Sequence, residues 1–191
     1  GQSATLDLFD GSVDLDTDLD TLTVTNATGV TIRELDGLAL GTVDVGAGTA
    51  TITLAAGSLT GGTLTAGTAV LTAPAGISLD TDVNTLTASS TNSDITIDNT
   101  GALAVGTVNA GTGVVTLIAT GAVTDGNGAA NNVTAQSLTV TATGGIDLDT
   151  AVSVLSLTNN ATLGTTAVTV SNTGDVTVTS AVNLDGALTL T

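Results

Sequence analysis

The sequence has 191 residues and contains no cysteine, histidine, methionine, tryptophan, tyrosine or lysine; phenylalanine, proline and arginine occur once each. Each absence removes a class of chemistry. Without His or Cys there is no zinc or haem ligation of the usual kind, no thiol nucleophile and no Ser-His-Asp triad. Without Lys there is no phosphate-binding Walker loop, so the glycine pairs Gly46/Gly48 and Gly111/Gly113 read as bends. One cation, Arg33, can neutralise neither a nucleic-acid backbone nor an anionic lipid surface, so neither is expected as a partner. A lyase acting on an acidic polysaccharide would also want basic residues. No apolar run approaches the roughly 18 residues of a membrane helix, and membrane insertion is not expected. No basic n-region precedes an apolar h-region, so a processed product or an excised segment is expected.

What is present is one-sided. Eighteen acidic residues face one basic residue, for a net charge of −17, and Glu34 is the only acid that is not Asp. The chain is nonetheless 41% apolar, too much for a disordered acidic tail. Thr, Val, Gly, Asn and Asp dominate, all mediocre or poor helix formers. Short apolar-Thr-apolar units recur, as in Val30–Ile32, Ile52–Leu54, Ile95–Ile97, Leu138–Val140 and Val168–Val170. In a strand such units point their aliphatic residues to one side and Thr to the other. Gly, Asn and Asp between them supply bends.

One phrase occurs three times: GSVDLDT at 11–17, GISLDT at 76–81 and GIDLDT at 145–150. A chain that repeats itself is built by stacking. One constant offset links Val30 to Ile95, Leu38 to Leu103 and Gly46 to Gly111, and a slightly longer one links Gly76 to Gly145. The added residues fall at DGNGAANN, 125–132, which reads as a lengthened loop. The expected architecture is all-β: a parallel β-helix, or β-solenoid, forming one unit. It is expected to have about nine rungs of roughly 22 residues with three short strands per rung. The macro-repeats run approximately over 11–75, 76–143 and 144–191, the last incomplete, with 1–10 as the end strand of a preceding rung. An antiparallel sandwich would usually want aromatic core residues and needs no repeat.

These phrases, with GTVNAGTG at 106–113, AVTDGNG at 122–128 and NTGDVTV at 172–178, resemble repeats of the filamentous haemagglutinin-like proteins, large secreted bacterial adhesins. The resemblance covers almost the whole chain. It implies a right-handed parallel β-helix, secretion to the extracellular space or cell surface, and a role in adhesion, matrix or surface fibres.

Site-like features are few. The alternating acids Asp14, Asp16, Asp18 and Asp20 would share one strand face, which reads first as a solvated acidic face; the alternative is weak binding of Ca²⁺, the one cofactor considered, since oxygen ligands at that spacing suit it. Their counterparts Asp80, Asp82, Asp147 and Asp149 recur only every third rung, so no single stacked site is expected. The T-x-T pairs at Thr21/Thr23, Thr49/Thr51 and Thr139/Thr141 read as polar strand residues, because along the sequence they hold no fixed place in the rung. Asn26, Asn132 and Asn160 each begin an N-x-T sequon that glycosylation could use. Arg33 and Glu34 read as a local pair or a solvated turn. Neither terminus resembles a cap: Leu6, Leu8 and Phe9 at one end, and Leu188 and Leu190 at the other, are candidate assembly surfaces. The expected function is non-catalytic, a structural element of an extracellular fibre whose partner is another copy, head to tail. The alternative is an adhesive module binding surface glycans or Ca²⁺ through a lateral Thr/Asp face.

Overall fold

The computed structural model describes residues 1–161, 166–183 and 186–191. Over these the chain forms one fifteen-stranded sheet in which every pairing is parallel, wound into a solenoid of about ten turns. Strands β1 (Ser3–Thr17), β2 (Thr21–Glu34), β5 (Leu59–Thr72), β6 (Ile77–Ser89) and β12 (Ile146–Asn159) each run unbroken over both sides of the coil. Elsewhere a corner splits the turn, as between β3 (Leu38–Asp44) and β4 (Thr49–Leu54), or β7 (Ile95–Asn99) and β8 (Leu103–Asn109). The chain continues through β9 (Val114–Ala119), β10 (Val123–Asp125), β11 (Val133–Ala142), β12 (Ile146–Asn159), β13 (Val168–Asn172), β14 (Thr177–Asn183) and β15 (Leu188–Leu190).

The turns can be counted along one column of hydrogen-bonded partners: Ala4, Leu22, Leu40, Gly61, Leu79, Ile97, Leu117, Val140, Leu157 and Ala181. Nine steps lead from Ala4 to Ala181, so a turn takes about 20 residues on average, a length typical of solenoid repeats. Single steps differ: Val140 to Leu157 is the shortest and Leu157 to Ala181 the longest. At about 4.8 Å per step the rod is roughly 43 Å long. The count is therefore about ten shorter turns where nine longer ones were expected. Each turn has two pairing runs on two sides of the coil. Register shifts at Leu22/Val24, Gly61/Thr63 and Leu86/Ala88 divide a run in two, giving three short segments at those levels.

Alternation builds the interior. In β4 and β7, every second residue is buried (Ala50, Ile52 and Leu54; Ile95, Ile97 and Asn99). Stacked columns of Leu, Ile, Val and Ala fill the coil from both sides, for example Val30, Ala50, Ala69, Leu86 and Val105 opposite the counting column. Each fully buried Leu, Ile or Val contributes about 1.5–3 kcal/mol by leaving water. A narrow coil has no room for large rings, and the sole aromatic, Phe9, is 90% exposed.

The shorter turn changes what the macro-repeat means. The phrase at 11–17 lies on the second side of turn one, that at 76–81 on the first side of turn five, and that at 145–150 on the second side of turn eight. Successive copies are three and a half turns apart, so each copy appears on the side opposite the last. Val30 and Ile95, equivalent by sequence, sit on different sides for the same reason. Gly76 and Gly145 open two of the copies at φ +112° and +103°. A Cβ there would approach the carbonyl oxygen of the next turn, Asp94 O at 2.8 Å or Ala167 O at 2.9 Å.

Candidate functional site

The repeated phrase builds a corner. In the second copy, Thr81 Oγ1 donates to Asn99 Oδ1 one turn later at 2.8 Å, and the Val83 N–H donates to the same oxygen at 3.0 Å. The Asn99 amide then donates to the carbonyls of Val83, Thr100 and Ala102 at 3.1–3.3 Å. Asn99 is fully buried, so one side chain satisfies the backbone groups that the bend leaves unpaired. The third copy repeats this arrangement. Thr150 Oγ1 and Val152 N–H donate to Asn172 Oδ1 at 2.9 and 3.0 Å, and the Asn172 amide donates to Val152 O and Gly174 O. Sequence reasoning missed this pairing. Its signal is Asn-Thr-Gly (99–101 and 172–174), one turn after Leu-Asp-Thr.

The first copy uses a carboxylate instead. Thr17 Oγ1 donates to Glu34 Oε2 at 2.6 Å, Leu19 N–H lies 3.1 Å from both carboxylate oxygens, and Leu35 N–H donates to Oε1 at 2.8 Å. Glu34 is only 2% exposed. The sole Glu thus occupies the Asn position of the other two corners, and does not pair with Arg33 as expected.

The four acids of the first copy are divided among three settings. Asp14 and Asp16 do share one face of the strand, and they flank Arg33 of the next turn, with N–O distances of 2.5 Å each. Asp16 and then Asp14 hold the Arg33 pKa above its ordinary value, chiefly through these hydrogen bonds. Asp18 joins Glu34 and Asp36, whose ligand oxygens all lie within 4.8 Å of one another. Asp20 accepts from the Gln2 N–H and lies 3.9 Å from the N-terminal amine. Asp14 to Asp20 therefore do not converge on one point: Arg33 lies against Asp14 and Asp16, and internal donors hold the Glu34 carboxylate beside Asp18.

The sequons differ sharply. Asn132 is fully buried, and its amide nitrogen lies within donating distance of Val105 O, Asp125 Oδ1 and Asn127 Oδ1 at 2.7–2.9 Å, while its oxygen accepts from Asp149 N–H. A glycan there would break this network, which corrects the expectation at Asn132. Asn26 is exposed at φ +56° and donates to Asp7 Oδ1. Asn160 is exposed, while Thr162 of its sequon lies outside the described residues. The lengthened loop falls between β10 and β11. Asp125 Oδ1 anchors it, accepting from Asn132, Asn127 N–H and Gly128 N–H, which hold the Asp125 pKa below its ordinary value in that order of effect.

The Thr pairs hold no single place in every turn, but register gathers two of them into local stacks, with Thr21/Thr23 in neither. On the second side, Thr49, Thr51 and Thr53 stack on Thr68, Val70 and Thr72, and these on Thr85, Thr87 and Ser89. Three and a half turns on, the first side stacks Val114, Thr116 and Ile118 on Ser137, Thr139 and Thr141, then on Val154, Ser156 and Thr158. Neither array contains a charged residue. Variable turn length hid this order in the sequence. At the ends, Leu6 and Leu8 are half-buried, while Leu188 and Leu190 are 45% and 39% exposed. In comparisons with known proteins, no family model matches this chain, and no curated protein or solved structure matches it.

Proposed function

We propose that the chain is a non-catalytic structural rod of an extracellular bacterial fibre or adhesin of the filamentous haemagglutinin-like kind. It extends along its own axis, either through further turns of the same chain or by head-to-tail stacking of copies. One observation carries this reading: the ladder and the aliphatic columns run through both terminal turns without closing. Among the described residues β1 pairs only with β2, and β15 only with β13, so each leaves an edge on which a further parallel strand can form. Across such a junction Ala4 of one turn would continue the column of Ala181, and Val13 that of Leu190, by the same register that links every interior turn. The mechanism is mechanical, with hydrogen-bond ladders and packed columns resisting bending and unfolding together. The near absence of Lys and Arg also removes trypsin-type cleavage sites.

Negative-stain microscopy of the purified chain over a range of concentrations tests head-to-tail growth. Expected are rods of constant width that lengthen by about 48 Å per added copy, ten turns at the strand spacing. Particles that remain single at every concentration would eliminate stacking of copies, leaving extension within one chain.

A further inference from the structure

We infer that the two charge-free hydroxyl arrays are lateral contact faces, and that the partner each one takes is the array of a second copy of this chain, so that rods lie side by side in layers. This rests on the rod reading above and adds the direction perpendicular to the axis. Three observations carry it. First, a molecule of net charge −17 keeps two patches of nine outward positions each free of charge. Where Asp80, Asp82, Asp98 and Asp147 face outward, two approaching rods juxtapose carboxylates, and repulsion disfavours contact at those levels. Secondly, the half-turn offset of the macro-repeat places these patches on the two different sides of the coil. An occupant that itself has two such sides can continue the contact from rod to rod, which a single-faced ligand cannot. Thirdly, the hydroxyls are available. Among the described residues only Thr72 and Ser89 bond within the second-side array, at 3.2 Å, and Thr49, Thr51, Thr68 and Thr87 keep their donors and acceptors outward.

The faces also fit a neighbour rather than a sugar or an ion. No exposed ring lies in either array to stack on a glycan, and no cation is present to hold an anion. Thr and Val offer methyl groups on a regular grid, about 4.8 Å along the axis and roughly 6.6 Å across it, and two such grids can interdigitate at the sheet-to-sheet distance of about 10 Å. One array spans only about 10 by 13 Å between Cα positions, far below the area of a stable isolated interface. A single contact is therefore weak, and lateral order grows with the number of arrays in line.

The test compares three forms of the 191-residue chain by sedimentation and X-ray scattering at rising concentration. One is the native chain. The second carries Thr51→Asp, Thr87→Asp, Thr139→Asp and Ser156→Asp on the two arrays. The third carries the same added charge at exposed Ala55→Asp, Ala56→Asp, Ala129→Asp and Ala130→Asp. The native chain and the third form are expected to associate laterally, seen as a cross-section that grows with concentration, separately from any growth in axial length. The array variant should keep the cross-section of a single rod and need at least a tenfold higher concentration to associate. Equal behaviour of the two variants, or a native chain with no lateral association, overturns the inference. Should the four-site variant fail to fold by circular dichroism, Thr51→Asp with Thr139→Asp is scored by the same criteria. Rods that grow end to end but never align sink this inference and leave the rod reading standing; lateral layers without axial growth support this inference and eliminate only the head-to-tail stacking of copies.

Discussion

At the scale of single residues, the informative positions are those where one inward polar side chain closes a bend. Asn99 satisfies the Thr81 hydroxyl, the Val83 N–H and three carbonyls from inside the coil. Asn99→Ala leaves those groups buried without partners, at a cost of about 1–3 kcal/mol for each one that water cannot reach. The expected loss is at least about 2 kcal/mol, read from urea unfolding. Alanine at half-buried Thr96, on the outer face of the same strand, should cost less than about 0.5 kcal/mol. An Asn99→Ala chain as stable as the Thr96→Ala chain would remove the corner from the account. Calcium offers a second check. Asp14 and Asp16 already hold Arg33, and Glu34 is engaged by Thr17, Leu19 and Leu35. Millimolar CaCl₂ should therefore raise Tm no more than an NaCl control of equal ionic strength. A saturable rise specific to Ca²⁺ would restore the acidic phrase as a metal site.

At the scale of elements, the loop between β10 and β11 is the one whose chemistry depends on a titrating group. The Asp125 carboxylate is favoured in the native loop, so protonation is easier when the loop is open. The stabilisation is complete above the ordinary carboxylate pKa of about 3.9 and is lost as pH falls through the lower native value. The Gly128 amide resonance, followed by NMR on acidification, should titrate with a midpoint below the usual Asp range, and Asp125→Asn should abolish the titration. A midpoint at or above the ordinary value would contradict the hydrogen-bond assignment. The same loop shows where the sequence was legible. Its extra residues announced an insertion because the offset between macro-repeats lengthens there, and the alternation in strands such as β4 showed which residues face inward. Turn length was not legible. Steps as unequal as Val140 to Leu157 and Leu157 to Ala181, and bulges at Leu22/Val24 and Leu86/Ala88, shift the phase without any marker residue. A period of about 22 therefore looked as good as one of about 20, and the Thr arrays stayed hidden. The Thr17–Glu34 contact was equally out of reach, since it requires knowing that the two are register partners on adjacent turns.

At the scale of the whole molecule, charge and architecture oppose each other. Eighteen acids and one Arg distributed along a slender coil repel throughout, and only screening relieves them. Tm should rise with NaCl between low and near-molar concentration, the reverse of a fold held by ion pairs; a fall would mean that Arg33 and its two aspartates matter more than self-repulsion. Because each turn touches only its neighbours, stability is close to a sum over turns and their interfaces.

Three and a half turns per macro-repeat have one more consequence, for diffraction. Advancing by one macro-repeat and rotating by half a revolution brings like sequence onto like, which is the operation of a two-fold screw axis. Identity in the same orientation returns only after two macro-repeats, or seven turns. Fibres that extend by further macro-repeats of one chain should show an axial period of about 34 Å, where stacked ten-turn copies would give about 48 Å, beside the strong reflection at about 4.8 Å that every parallel β rod gives.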